Sequence, residues 1–281
     1  LVGSEMCIRD SVFAVMVIGA CSGVGVIRGI IASAPTIDDI VATPTGFLST
    51  VLDANGNQTA TLVASGSNRR AVTIDEIPKN LQHAFVAIED ERFYEHNGID
   101  VTGIIRAGVK GVASGFHFSE GASTITQQLL KNTVFTSWTS ESSMADKFER
   151  KFQEQYLALQ LEKVVDKDWI LENYLNAINL GQNTLGVGVA SERYFGKDVS
   201  DLTLSECAVL AAITQNPSKY NPITNPQENS KRRMKVLNNM KDQGYISQEE
   251  YDEAVADNVY DRIQLCLLYT SPSPRDLSTS R

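Results

Sequence analysis

Basic charge is scarce in this chain. Its 25 lysines and arginines are outnumbered by 34 aspartates and glutamates, giving a formal net charge of −9. A protein that neutralises phosphates along a duplex needs a basic surplus, so a general nucleic-acid binder is excluded and any anion site must be local. Cysteine is scarce too, with four in 281 residues. Two of them, Cys7 and Cys266, sit in terminal segments that look foreign to the gene. The DNA string CTCGTGGGCTCGGAGATGTGTATAAGAGAC encodes Leu1 to Asp10, and its complementary strand, read two bases in, encodes Leu267 to Arg275. Two ends of one natural protein have no reason to be reverse complements. Residues 1–11 and 266–281 are therefore expected to be sequencing-adapter read-through, to be left out of fold reasoning. The remaining Cys21, in an apolar run, and Cys207, in a helical pattern, form neither a disulfide framework nor a CxxC metal site. Internal repeats and low-complexity tracts are absent as well.

What the chain does have is 42% hydrophobic residues, enough for a real core. Val12 to Ile27 carries no charge, but falls short of the ~20 residues of a spanning helix. Arg28 can snorkel and a polar stalk, SAPTIDDIVATPT, follows, so a truncated transmembrane anchor is expected over 12–34. A cleavage-like pattern at Ala32 to Ala34 leaves a secretory signal as the alternative. Residues 35–76 read as the stalk and a small β-hairpin: FLSTVLD and QTATLV flank Asn55-Gly56, a pair suited to a type I′ turn.

After Pro78 the signals are helical. Ser123, Thr203 and Ser247 look like N-caps, and Thr203 with Glu206 and Ser247 with Glu250 fit the capping box. Met144 to Val165 spaces Phe148, Phe152, Tyr156, Leu159 and Val164 close to a helical repeat with charges between them. One mainly α-helical domain is expected over 77–244, with 245–265 opening a linker toward a further C-terminal domain.

Three groups of residues can carry chemistry. The first, Glu89-Asp90-Glu91-Arg92-Phe93-Tyr94-Glu95-His96-Asn97-Gly98, follows the apolar run AFVAI. Partial burial or like-charge crowding there would raise a carboxyl pKa toward the range useful for proton transfer, although a solvated helix end would carry the same residues. In the second, GASTITQQLLKN (121–132), small residues lead into a capped helix whose exposed N–H groups suit an anion. Gln127 and Lys131, four apart, share a face; an ordinary capped helix with a surface lysine is the competing reading. The third is Arg150-Lys151-Phe152-Gln153-Glu154, where an intrahelical ion pair is the simplest account.

Together with KDWILENYLNAINLGQNTLGVGVASERYFGK and KRRMKVLNNM, these pieces stand in the order of the motifs of a known family. The chain resembles, from about Phe47 to Val259, the glycosyltransferase domain of class A penicillin-binding proteins and their monofunctional relatives. The resemblance implies a lysozyme-like helical fold that polymerises lipid II into β-1,4 glycan strands with inversion, releasing undecaprenyl pyrophosphate. By motif, Glu89 is the general base. Asp90, Phe93, His96 and Gly98 shape the site, and Ser123, Thr124, Gln127, Gln128, Lys131, Arg150 and Lys151 bind the substrate. Glu154 matches the second acidic residue, holding the cations or a divalent metal, magnesium or manganese, near the diphosphate. A departing diphosphate is already a stable anion, so positive charge and hydrogen-bond donors matter more than a general acid.

Ala122 departs from the family, which often has a second glycine there. Ile104, Ile105, Val109, Val112, Phe116 and Phe118 form an apolar face that in the family dips into the membrane; ordinary core packing is the alternative. Glu172 and Asn176 match polar motif positions that brace the cleft, and Arg232 and Arg233 are structural or near the sugar site. The implied partners are lipid II, the nascent glycan strand, the bacterial membrane and cell-wall synthesis or division proteins. The implied location is the cell membrane, single-pass, with the catalytic domain outside the cytoplasm. A lysozyme-like glycan-cleaving enzyme and a non-catalytic membrane-bound cell-wall scaffold are the competing functions. A transpeptidase would need a Ser-x-x-Lys, Ser-x-Asn and Lys-Thr-Gly set, and the chain lacks one.

Overall fold

A helix that is apolar on every side has only one stable place in a water-soluble domain, the centre. LSECAVLAAI is such a segment apart from Ser205 and Glu206, both of which find polar partners. In the computed structural model, which describes residues 2–36, 43–56, 58–62, 68–114, 123–136, 138 and 141–264, it forms the axis of the main body. The helices are α1 Val2–Ala32, α2 Lys79–Glu89, α3 Val101–Ala113, α4 Ile125–Thr133, α5 Met144–Leu161, α6 Lys167–Ala177, α7 Val187–Phe195, α8 Leu204–Ile213, α9 Pro226–Asp242 and α10 Gln248–Ala256. The central segment is α8, buried from Ser205 to Ile213, with α2 and α9 packed against it. α4 joins through α5 and α6, so α2 and α4 belong to one continuous core. The architecture is mainly α, as expected.

Local chemistry sets where each helix starts. Thr203 and Ser247 both make the capping boxes read from the sequence, each accepting from the N3 amide while Glu206 and Glu250 reach back. α4 differs by one residue: the cap is Thr124, whose hydroxyl accepts from the Gln127 amide, not Ser123. The Ser-Thr pair offers two hydroxyls, and Ser123 is engaged elsewhere, by Lys151.

β1 Ser49–Leu52 and β2 Gln58–Leu62 form the expected antiparallel hairpin, but not its expected turn. A type I′ turn needs positive φ at both central residues. Only Gly56 has it, at 83°. The Gly56 amide instead bonds the Asp53 carbonyl at 3.0 Å, the Asn55 amide bonds the Asp53 side chain at 2.8 Å, and the register shifts between Val51 and Leu52. Asp53 captures the turn and displaces the Asn-Gly pair from its centre.

α5 buries Glu154, Leu157, Ala158 and Leu161, whereas Phe148 is 55% exposed; Tyr156 is partly buried against the core, and Val164, just past the helix, is 65% exposed. Phe148 and Phe152 lie against each other, ring centroids 4.6 Å apart. On α3, Val101, Ile104, Ile105, Val109 and Val112 are exposed, so none of these is core; Phe116, Phe118, Gly121 and Ala122 lie outside the described residues.

α1 holds a 21-residue window, Val12–Ala32, long and apolar enough to cross a membrane and wholly unburied. Its end meets α5, where Gln153 donates to the Ile30 carbonyl at 3.3 Å and Ser33 to Glu149 at 3.1 Å.

The packed body continues past residue 244. Ile246, Ala254, Val259 and Ile263 are buried in the same core. Arg262 binds Glu206 at 2.9 Å and Asp257 at 2.7 Å, Tyr260 donates to Asn229 at 2.6 Å, and the Gln264 amide bonds the Tyr194 carbonyl at 2.9 Å. The segment expected to open a linker thus closes this domain as far as Gln264, while 265–281 lie outside the described residues.

Candidate active site

Glu89 is the last residue of α2, so its side chain emerges where the backbone ladder stops. It is 14% exposed, enough to reach a substrate, and both carboxylate oxygens are engaged. Gln128 Nε2, from α4, donates to Oε2 at 3.0 Å, and the Thr214 hydroxyl, at the end of α8, donates to Oε1. Arg232, from α9, stands 3.7 Å from Oε1 with its guanidinium 5.2 Å from the Tyr220 ring centroid. Gln128 is itself held: its Oε1 accepts from the Tyr174 hydroxyl at 3.3 Å. Complete burial and the charges of Glu89 and Asp90 push that phenol well above its ordinary range, so it remains a proton donor.

The rest of the first motif acts through the backbone. Asp90 is buried, takes the α4 amide of Ile125 at 2.9 Å, and pairs with His96 Nε2 at 3.0 Å. Phe93 is fully buried under Lys167 and beside His96, with Lys167 donating to the His96 carbonyl at 2.7 Å. Gly98 has φ +89°, and a Cβ there would lie 2.5 Å from the Ala158 carbonyl oxygen of α5. Its own carbonyl takes the Thr124 hydroxyl at 2.8 Å and Gln127 Nε2 at 3.5 Å. Asp90, Phe93, His96 and Gly98 therefore lock the loop after Glu89 onto α4 and α5.

The cations gather on α4 and α5. Glu154, wholly buried, is bound by Arg150 on one oxygen and by Lys151 at 2.6 Å on the other. Arg150 also pairs with Glu141 at 2.8 Å, and Lys151 reaches Ser123 at 3.2 Å. Lys131 lies over the Trp138 ring, 4.1 Å from its centroid. Its pKa is lowered by burial and next by the positive charge of Lys151; Glu154 and Glu89 oppose the shift. Glu89, Arg150, Lys151 and Glu154 thus all lie close enough to Lys131 to act on its charge.

The donor set does not fit a divalent cation held by the protein. Both oxygens of Glu154 already face cations, and no group of three His, Cys, Asp or Glu residues able to ligate a metal occurs among the described residues. The expected metal role of Glu154 gives way to that of an anionic strut between two cations.

Three contributors escaped the motif reading. Thr214 ends an apolar helix with no catalytic pattern, Tyr174 reads simply as core, and Arg232 was placed only loosely near the site. Glu172 and Asn176 do brace the domain: Glu172 takes the Ile74 amide at 2.7 Å, and Asn176 bonds the amide and carbonyl of Val72 at 3.0 and 2.8 Å. Arg233 points away from its neighbour Arg232, to Ser205 at 2.7 Å and the Ala254 carbonyl.

Residues 55–241 match the transglycosylase family model, and the chain belongs to that family; its domain is a peptidoglycan glycosyltransferase. It is 44% identical over 247 residues to penicillin-binding protein 1A of Clostridium perfringens, covering 85% of this chain and 35% of that protein. Penicillin-binding protein 1F of Bacillus subtilis is 47% identical over 203 residues, 72% of this chain and 27% of its own length. Penicillin-binding protein 1A of Escherichia coli is 46% identical over 189 residues, 67% of this chain and 21% of its own. The chain thus spans about a third or less of these relatives. The crystal structure of penicillin-binding protein 1A from Haemophilus influenzae superposes with a TM-score of 0.43 at 24% identity, covering 77% of this chain and 21% of that one.

Proposed function

We propose that the domain polymerises lipid II, with Glu89 taking the proton from the acceptor sugar's 4-hydroxyl. As that oxygen attacks the donor's anomeric carbon, the new C–O bond forms on one face. The bond to the undecaprenyl diphosphate breaks on the other, and its electron pair leaves on the phosphate. The result is an inverted β-1,4 link. The observation that supports this reading is one carboxylate, held on both oxygens, whose charge is felt by Lys131, a cation that Arg150 and Lys151 also act on. Those cations would meet the charge that grows on the leaving diphosphate. An inverting glycosidase needs a second carboxyl to donate a proton to its leaving group. Both oxygens of Glu154 are already taken by cations, leaving neither turned toward a leaving group, which favours transfer over cleavage.

Removing a positioned base typically costs about 10²–10⁴-fold. Glu89→Gln should therefore abolish strand formation from labelled lipid II in detergent while leaving the fold intact. Normal polymerisation by that variant would remove Glu89 from the role. Loss of preformed glycan instead of strand growth would favour the cleaving enzyme. On this reading the Val12–Ala32 helix anchors the domain to the outer face of the bacterial membrane, within reach of its lipid-linked substrate, the nascent strand and cell-wall synthesis or division proteins. We further infer that the parent gene continues into a penicillin-reactive transpeptidase, as the relatives' name suggests; its genomic sequence beyond Leu265 decides this.

A further inference from the structure

Thr214 occupies a place no motif assigns. It is the C-cap of α8, and its Oγ1 lies within bonding distance of two acceptors, Glu89 Oε1 and, at 3.0 Å, the Ala211 carbonyl. A threonine hydroxyl has one hydrogen and two acceptor lone pairs, so it serves one of them at a time. With Glu89 ionised, the hydrogen belongs to Glu89, because a bond to a charged oxygen is the stronger. With Glu89 protonated at Oε1, the direction reverses: the carboxyl donates to Oγ1, and the hydroxyl hydrogen turns to the Ala211 carbonyl, an orphan acceptor of the helix end. If the proton sits on Oε2, Thr214 continues to donate to Oε1. Gln128 has no such freedom, since its Nε2 only donates and its Oε1 is occupied by Tyr174.

We propose that Thr214 is a positioning residue that keeps the Glu89 carboxyl in one orientation through its protonation cycle. The inference rests on Glu89 being the base, as argued above. No atom is exchanged with Thr214; its hydroxyl turns about the Cβ–Oγ1 bond. The other charged or titratable groups near Glu89 are Asp90 beside it on the chain, Lys131 on α4, Tyr174 on α6 and Arg232 on α9. All of them remain in place when Thr214 is changed.

The test compares Thr214→Val, which keeps the shape without the hydroxyl, with Thr214→Ser, which keeps the hydroxyl. Polymerisation of labelled lipid II by the full chain in detergent is followed from acid to alkaline pH. A lost bond to a charged group corresponds to a fall of roughly tenfold or more. Thr214→Val should lose about that factor in kcat, with KM for lipid II little changed. Its acid limb should move to higher pH, because the ionised carboxylate has lost a donor. Thr214→Ser should restore both the rate and the limb. A Thr214→Val enzyme with the parent's kcat and pH profile overturns the proposal, as does a slow variant whose limb has not moved or that serine fails to rescue. Should the valine variant not fold by thermal melting, Thr214→Ala against Thr214→Ser gives the same comparison. Glu89→Gln separates the two claims: an active Glu89→Gln enzyme sinks the base itself, whereas a dead one beside a normal Thr214→Val sinks only the role of Thr214.

Discussion

Replacing Glu154 with glutamine keeps its shape and removes the one charge that Arg150 and Lys151 share. Glu154 is fully buried, so its carboxylate is worth its desolvation only because both oxygens are bound. Removing one partner of a buried ion pair generally costs about 3–5 kcal/mol. Two features lower that figure here: Arg150 keeps Glu141 at 2.8 Å, and Lys151 is 41% exposed and can turn to water. The expected loss is then about 2–3 kcal/mol, scaled from the same range. A domain of this size shifts its Tm by roughly 2–4 °C per kcal/mol, giving a fall of about 5–10 °C. Circular dichroism or calorimetric melts of Glu154→Gln read this directly. Transfer assayed well below the new Tm should fall more than tenfold, because cations no longer held together cannot converge on one diphosphate. An unchanged Tm with unchanged activity would refute the strut. So would magnesium or manganese raising the Tm of the parent without substrate, since saturation at about a hundred times Kd adds roughly 2.7 kcal/mol. A shift of that kind would return Glu154 to a metal centre.

Gly98→Ala forces a side chain into positive φ and against the α5 backbone 2.5 Å away, so a Tm loss of roughly 5–15 °C is expected from about 1–2 kcal/mol of backbone strain plus the clash; an unchanged melt would falsify the close approach. Burial lowers the Lys131 pKa, so its charged form is less favoured in the fold than in the unfolded chain. That penalty is present at neutral pH and is relieved as pH rises through the lowered range, so Lys131→Met should be the more stable protein at neutral pH and lose its advantage in alkali. Pyrophosphate affinity, read by fluorescence of the neighbouring Trp138, should weaken over that same rise in the parent, and a flat profile would remove Lys131 from the anion site. Thr203→Ala removes the hydroxyl that caps α8 and should cost about 1 kcal/mol, seen as a Tm fall of a few degrees.

Local rules carried much of this structure. Capping boxes at Thr203 and Ser247 need only residues three apart, and both formed as read. The order of the motifs placed Glu89 with the α4 and α5 cations because each motif was recognised as a piece of one site. What failed was anything settled by long-range packing. The helical spacing of the aromatic row of α5 did not reveal which face is buried: the face carrying Glu154 is inside, because Arg150 and Lys151 neutralise that charge and Ala158 lets Gly98 approach. Asp53 took the hairpin turn from Asn55-Gly56 by a hydrogen bond that dipeptide rules ignore. Thr214 was illegible because its partner, Glu89, lies 125 positions away in the chain. An apolar helix ending in threonine gives no hint of what waits beside it.

The closing segment from Ile246 to Gln264 has a practical consequence for anyone screening inhibitors on a shortened domain. A cut at residue 241, where the family match ends, would strip Ile246, Ala254, Val259 and Ile263 from the core. It would also take Arg262 from Glu206 and the Ala254 carbonyl from Arg233, leaving one carboxylate and one guanidinium short of partners inside the protein. A fragment trimmed there would present a sticky apolar scar and a loosened α9, the helix that carries Arg232 to the base. Compounds selected on it would risk answering to the wound. Keeping the chain through Gln264 preserves the core against which α8 and α9 are packed.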